Sequence, residues 1–98
     1  MGRMSQPAIK RRFNKCHTRT LQNLRENYDD VRIEPKSSPF HFMAIDERGV
    51  KYIKVELDNF SDEAKKELET YRKKCPLSAI CEVRIFHKYK RLPERITI

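Results

Sequence analysis

The chain has no cysteines at CxxC spacing, and its total is an odd three: Cys16, Cys75 and Cys81. Neither a disulfide framework nor a structural zinc site fits that pattern, and buried free thiols in a reducing compartment are expected instead. No apolar run approaches membrane-spanning length, and no apolar stretch of the signal-peptide kind follows the start. A cytoplasmic protein with no membrane partner is the expectation. Glycine is scarce, at two residues, and nothing has the pattern of a P-loop, a GxGxxG turn, a nucleophile elbow or a haem site. Acids are missing from residues 1–19, and residues 71–98 hold only Glu82 and Glu94.

What is present is positive charge with a marked bias along the chain. The 98 residues, enough for one domain, carry a net charge of +8 with a pI near 9.6. Residues 1–19 and 71–98 each contribute +6, whereas residues 20–45 sum to −1 and residues 46–70 to −3. Two basic ends around a neutral-to-acidic middle draw polyanions and speed their encounter. Solubility alone is the plainer account of the same charge.

The apolar residues, 38% of the chain, cluster into periodic segments. Residues 1–11 lack periodicity and read as a basic, flexible N-terminal arm ahead of a single domain at 12–98. Phe13, Cys16, Leu21, Leu24 and Tyr28 recur at three- and four-residue steps, the stripe of an amphipathic helix from Arg12 to Tyr28. Val31–Ile33 is a short strand cut off by Pro35 and Pro39. Phe40–Ile45 and Val50–Leu57 are strands around a tight turn at Asp46–Gly49, where glycine can take positive φ. In the second of these, Ile53, Val55 and Leu57 share one face. Ser61 is a good N-cap, Asp62 and Glu63 suit a first helical turn, Ala64, Leu68 and Tyr71 form the buried stripe, and Pro76 stops the helix. Ala79–Phe86 is a mostly apolar strand, His87–Arg91 a basic loop, and Arg95–Ile98 a last edge strand. The order is α-β-β-β-α-β with that final strand added. A strand, a crossover helix and another strand imply a parallel pairing beside the hairpin, hence an α/β domain with a mixed sheet of four to five strands flanked by two helices.

The hairpin carries a family likeness. Ser38-Pro-Phe-His41-Phe-Met-Ala-Ile45, a glycine turn, and Tyr52-Ile-Lys54-Val-Glu56 together resemble the active-site hairpin of the PD-(D/E)XK nucleases. That superfamily includes restriction enzymes and archaeal Holliday-junction resolvases, and the resemblance covers roughly residues 12–98. It implies a restriction-endonuclease-like fold, structured DNA rather than RNA as substrate, a homodimer, and a divalent magnesium or manganese ion. In the family, an acid on the first strand and an acid-x-lysine pair on the second hold that ion and activate water against a phosphodiester. This sequence has His41 at the first position and the exchanged order Lys54-Val55-Glu56 at the second. The resemblance therefore implies His41, Lys54 and Glu56 as catalytic candidates, with His41 and Glu56 as metal ligands. Two readings stay open: an altered metal-dependent endonuclease, or a domain that has lost catalysis and only binds. Asp58, after the second strand, can reach a ligand at its end, and His17 lies in the first-helix region where some members carry an acid.

The remaining cations divide by location. Lys10, Arg11, Arg12, Lys15 and Arg19 begin the first helix, while Lys88, Lys90 and Arg91 follow the last long strand with Tyr89 interleaved. Such clusters give salt-sensitive phosphate contacts with little sequence choice, and Tyr89 can stack on an unpaired base or pack its ring against the sheet edge. The rival to DNA binding is a non-catalytic protein-interaction or assembly module whose basic ends hold an acidic partner.

Overall fold

A computed structural model describes residues 6–98. Seven elements follow in chain order: α1 (Gln6–Asn27), β1 (Asp30–Ile33), β2 (Phe42–Asp46), β3 (Gly49–Leu57), α2 (Asp62–Arg72), β4 (Ile80–Phe86) and β5 (Glu94–Thr97). The five strands form one mixed sheet in sequence order. β1–β2, β2–β3 and β4–β5 pair antiparallel, and β3–β4 pair parallel across α2. The expected α/β architecture, with two helices on a mixed sheet, is therefore present.

α1 begins six residues earlier than the apolar stripe indicates. Pro7 falls in its first turn, where a helix needs no donor from that residue, so the chain is already helical across the second half of the expected arm. Residues 1–5 of that arm lie outside the described residues. The Asp46–Gly49 turn closes as expected, with Gly49 at φ +133° and the Arg48 amide donating to Asp46 Oδ1 at 2.8 Å. Ser61 caps α2 by accepting from the Ala64 amide at 3.2 Å.

Each sheet face buries a separate layer. Against α1 lie Phe42, Ala44, Ile53, Val55 and Phe86 with Cys16 and Leu24 of the helix. Against α2 lie Phe40, Cys81, Val83 and Ile85 with Leu68 of that helix. Leu24, Phe42, Ile53 and Leu68 are fully buried, and truncating any one to alanine costs about 2–5 kcal/mol. The alternation of β4 turns Glu82 and Arg84 to the α1 side, where both are buried. Among the described residues no helix is long and apolar enough to cross a membrane.

Candidate nucleic-acid interface

Helical geometry selects which of the α1 cations act together. At about 100° per residue, Lys15 lies about 60° and Arg19 about 20° around the axis from Arg12, while Lys10 lies on the opposite flank. Arg12, Lys15 and Arg19 thus share one edge of α1. Arg11 is exposed and does not line that edge.

The β4–β5 loop comes up against this edge. Arg12, Lys15 and Arg19 from α1, with Lys88, Tyr89 and Lys90 from the loop, line one concavity of about 410 Å³ floored by Phe86. Part of each basic cluster thus meets on one surface: Arg12, Lys15 and Arg19 join Lys88 and Lys90, while Lys10 and Arg11 stay outside it. Lys15, Lys88 and Lys90 are exposed, and among the described residues none of the three has a carboxylate within ion-pairing distance. Arg91 contributes through its backbone, since its carbonyl accepts from Arg19 Nη2 at 3.0 Å. The Arg19 guanidinium also sits over the Phe86 ring, 5.6 Å from its centroid.

Asp58 is the tie that holds the surface together. It receives a two-pronged hydrogen bond from Arg12, with Nη2 to Oδ1 at 2.9 Å. Its Oδ1 also accepts from the Lys88 amide at 3.1 Å, and its own amide donates to the Phe86 carbonyl at 2.9 Å. Arg12 Nη2 adds a bond to the same carbonyl at 3.1 Å. The Arg12 guanidinium, then the Lys88 amide and the nearby positive charge, hold the Asp58 carboxyl down at about 2. One carboxylate thereby joins α1, the end of β3 and the start of the basic loop. Arg12 is consumed in this joint and positions the surface rather than offering a free charge to a phosphate. Asp58 itself adopts φ +60° and Tyr89 φ +65°, a left-handed conformation costing a non-glycine residue about 1 kcal/mol or more. At Tyr89 the result is a fully exposed ring at the rim of the concavity.

The hairpin triad is placed differently. The segments 40–45 and 50–57 do fold back on each other, but His41, Lys54 and Glu56 do not converge. The ladder between β2 and β3 ends at Phe42–Ile53, which leaves the Val55 amide without a strand partner. His41 Nδ1 accepts that amide at 2.9 Å. An unmet buried amide costs about 1–3 kcal/mol, so the imidazole serves as a ladder cap. Its ring packs on the α1 side, 5.3 Å from Phe13 and 5.7 Å from His17 between centroids. Burial, then the charges of Lys54 and His17, push its pKa down to about 4. The ring is therefore neutral at pH 7, with its proton on Nε2. Lys54 and Glu56 alternate onto the α2 face with Tyr52; Lys54 Nζ donates to the Pro39 carbonyl at 3.2 Å and pairs with Glu56 at 3.4 Å. Among the described residues no three His, Cys, Asp or Glu side chains are grouped to hold a metal ion. The residues present do not fit the divalent ion that the nuclease resemblance implies: His41 has committed Nδ1 to the backbone and faces away from Glu56.

Two features escaped the sequence reading. Asp58 reads as an acid at a strand end, yet nothing in the sequence pairs it with Arg12, 46 residues away. Glu82 and Arg84 sit in an otherwise apolar strand, where two charges one residue apart are the available signal of a buried pair. Compared with known proteins, the chain matches no family model, no curated protein and no solved structure.

Proposed function

We propose that this protein is a nucleic-acid-binding domain that holds a phosphodiester strand along the α1 edge and the β4–β5 loop. The observation that carries the reading is the convergence of Lys15, Arg19, Lys88 and Lys90 on one concavity, with Tyr89 standing free at its rim. Exposed lysines without an ion-paired carboxylate suit phosphate contacts, which position a protein without reading sequence. An exposed aromatic ring beside them suits an unpaired base, each such stack contributing about 1–3 kcal/mol. DNA with single-stranded or branched character is the expected partner. In this reading the hairpin whose sequence resembles that of the PD-(D/E)XK nucleases does not carry their chemistry, so the activity is binding rather than hydrolysis.

Fluorescence anisotropy with labelled single-stranded, duplex and branched oligonucleotides tests it. A footprint of about four phosphates gives a slope of about −3 in log K against log salt. Lys15→Glu and Lys88→Glu should each weaken binding about tenfold or more, while Lys65→Glu on α2 should not. An absence of binding at low salt overturns the proposal. Nicking of plasmid DNA with manganese or magnesium that Glu56→Gln abolishes overturns the binding-only form of it.

A further inference from the structure

Arg19 and Phe86 are shared walls. On one side they border the basic concavity; they also line a second cavity of about 310 Å³, together with Asn23, Arg84, Leu92 and Arg95. Arg84 projects from β4 beneath α1 and is only 2% exposed. Its Nε donates to Glu82 Oε2 at 2.8 Å and its Nη1 to Asn23 Oδ1 at 2.8 Å. Nη2 is wholly buried and has no partner among the described residues. A buried guanidinium with an unmet donor is costly, and the residue that carries it lines the cavity. Among the described residues Glu82 is the carboxylate that pairs with Arg84 and Arg95, and it is shared, with Arg95 Nε and Lys51 Nζ each 3.8 Å from its Oε1. Three arginines line the cavity, and no carboxylate is among the described residues that do.

We infer that this cavity is a phosphate-recognition pocket in which Arg19 and Arg95 close on the charge from the rim, and a small shift of the Arg84 side chain brings its unpartnered Nη2, here shielded from solvent, to a phosphate oxygen. Guanidinium groups match the oxygen geometry of phosphate with paired hydrogen bonds, shorter and stronger than neutral ones. The excess positive charge suits a dianionic phosphate better than a singly charged carboxylate. Phe86, Leu92 and Pro93 supply an apolar wall beside the charged groups. The phosphate belongs either to a nucleic-acid strand running past Arg19 or to a free phosphate. The inference does not depend on the nucleic-acid reading, because it requires only the phosphate group.

The test is a nitrogen–proton NMR titration of the full chain with inorganic phosphate, run against sodium chloride at matched ionic strength. The Arg84 Nε–H and the Asn23 side-chain amide should shift and saturate with phosphate and not with chloride. Arg95→Gln, a change at a half-exposed side chain, should raise the apparent dissociation constant about tenfold, as expected for a lost charged hydrogen bond. Arg48→Gln, at the remote β2–β3 turn, should leave it unchanged. Shifts that fail to saturate, or that spread equally over Arg32 and Arg48, overturn the pocket. Arg84→Met should abolish the response; if that variant does not fold, Arg95→Gln and the Arg84 resonance decide. A short oligonucleotide added to the phosphate complex separates the sources. Release of phosphate assigns the pocket to the strand, and retention assigns it to free phosphate. Saturable phosphate binding without any oligonucleotide binding upholds the pocket while removing the nucleic-acid reading.

Discussion

His41 ends the β2–β3 ladder through its imidazole, and the burial of that ring makes the fold sensitive to pH. Its folded pKa near 4 lies below the ordinary 6.5, so between these values the unfolded chain binds the proton that the folded chain refuses. The stabilisation is complete above about pH 6.5 and is lost as pH falls toward 4. His17, also lowered by burial, adds in the same direction. Urea unfolding followed from pH 7.5 to 4.5 should therefore show a falling midpoint. His41→Asn, whose side-chain oxygen can still accept the Val55 amide, should flatten that fall without abolishing it; equal pH slopes in the two proteins would contradict the assigned role. The thiols give a second prediction at this scale. Cys16 and Cys81 are buried, and burial pushes Cys81 up to about 11, so a thiol reagent should label Cys75 quickly and the other two only as the native state opens.

At the scale of elements, the stripe on α1, the alternation in β3, the glycine turn and the Ser61 cap were all legible, because each follows from contacts within a few residues. Ser61→Ala should cost about 1 kcal/mol, read as a lower thermal midpoint with DNA binding unchanged. The β4–β5 loop was legible only as basic. Its shape depends on Asp58, whose carboxylate fixes the Lys88 amide from another strand. Tyr89→Gly separates strain from contact. It removes a left-handed side chain and should leave stability equal or raised by up to about 1 kcal/mol, offset in part by glycine's extra freedom when unfolded. It should also weaken single-stranded DNA binding more than duplex binding. A loss of stability with no change in binding would mean that the ring only packs.

At the scale of the whole molecule, cations from both basic ends of the sequence meet on one surface, and the acidic middle supplies Asp58, which ties Arg12 to the Lys88 amide. Raising salt should weaken the proposed DNA binding steeply yet change thermal stability little. Phosphate contacts exchange with counterions, whereas the Arg12–Asp58 pair is exposed at its carboxylate end and contributes at most about 1 kcal/mol. Glu82 and Arg84 also belong to this scale. Replacing Glu82 alone, for instance by Gln, should cost about 3 kcal/mol or more, since it leaves the Arg84 charge buried without its counterion; a urea midpoint close to the wild type would contradict that.

The order of elements, the parallel crossover, the buried apolar stripes and the charge bias at the two ends were determined by the sequence itself, through periodicity, caps and turn residues that act locally. Tertiary structure alone decided the direction of His41, the capture of Arg12 by Asp58 and the burial of Arg84. Each depends on which backbone donor or opposite charge lies across the fold, and a one-dimensional pattern does not encode that distance.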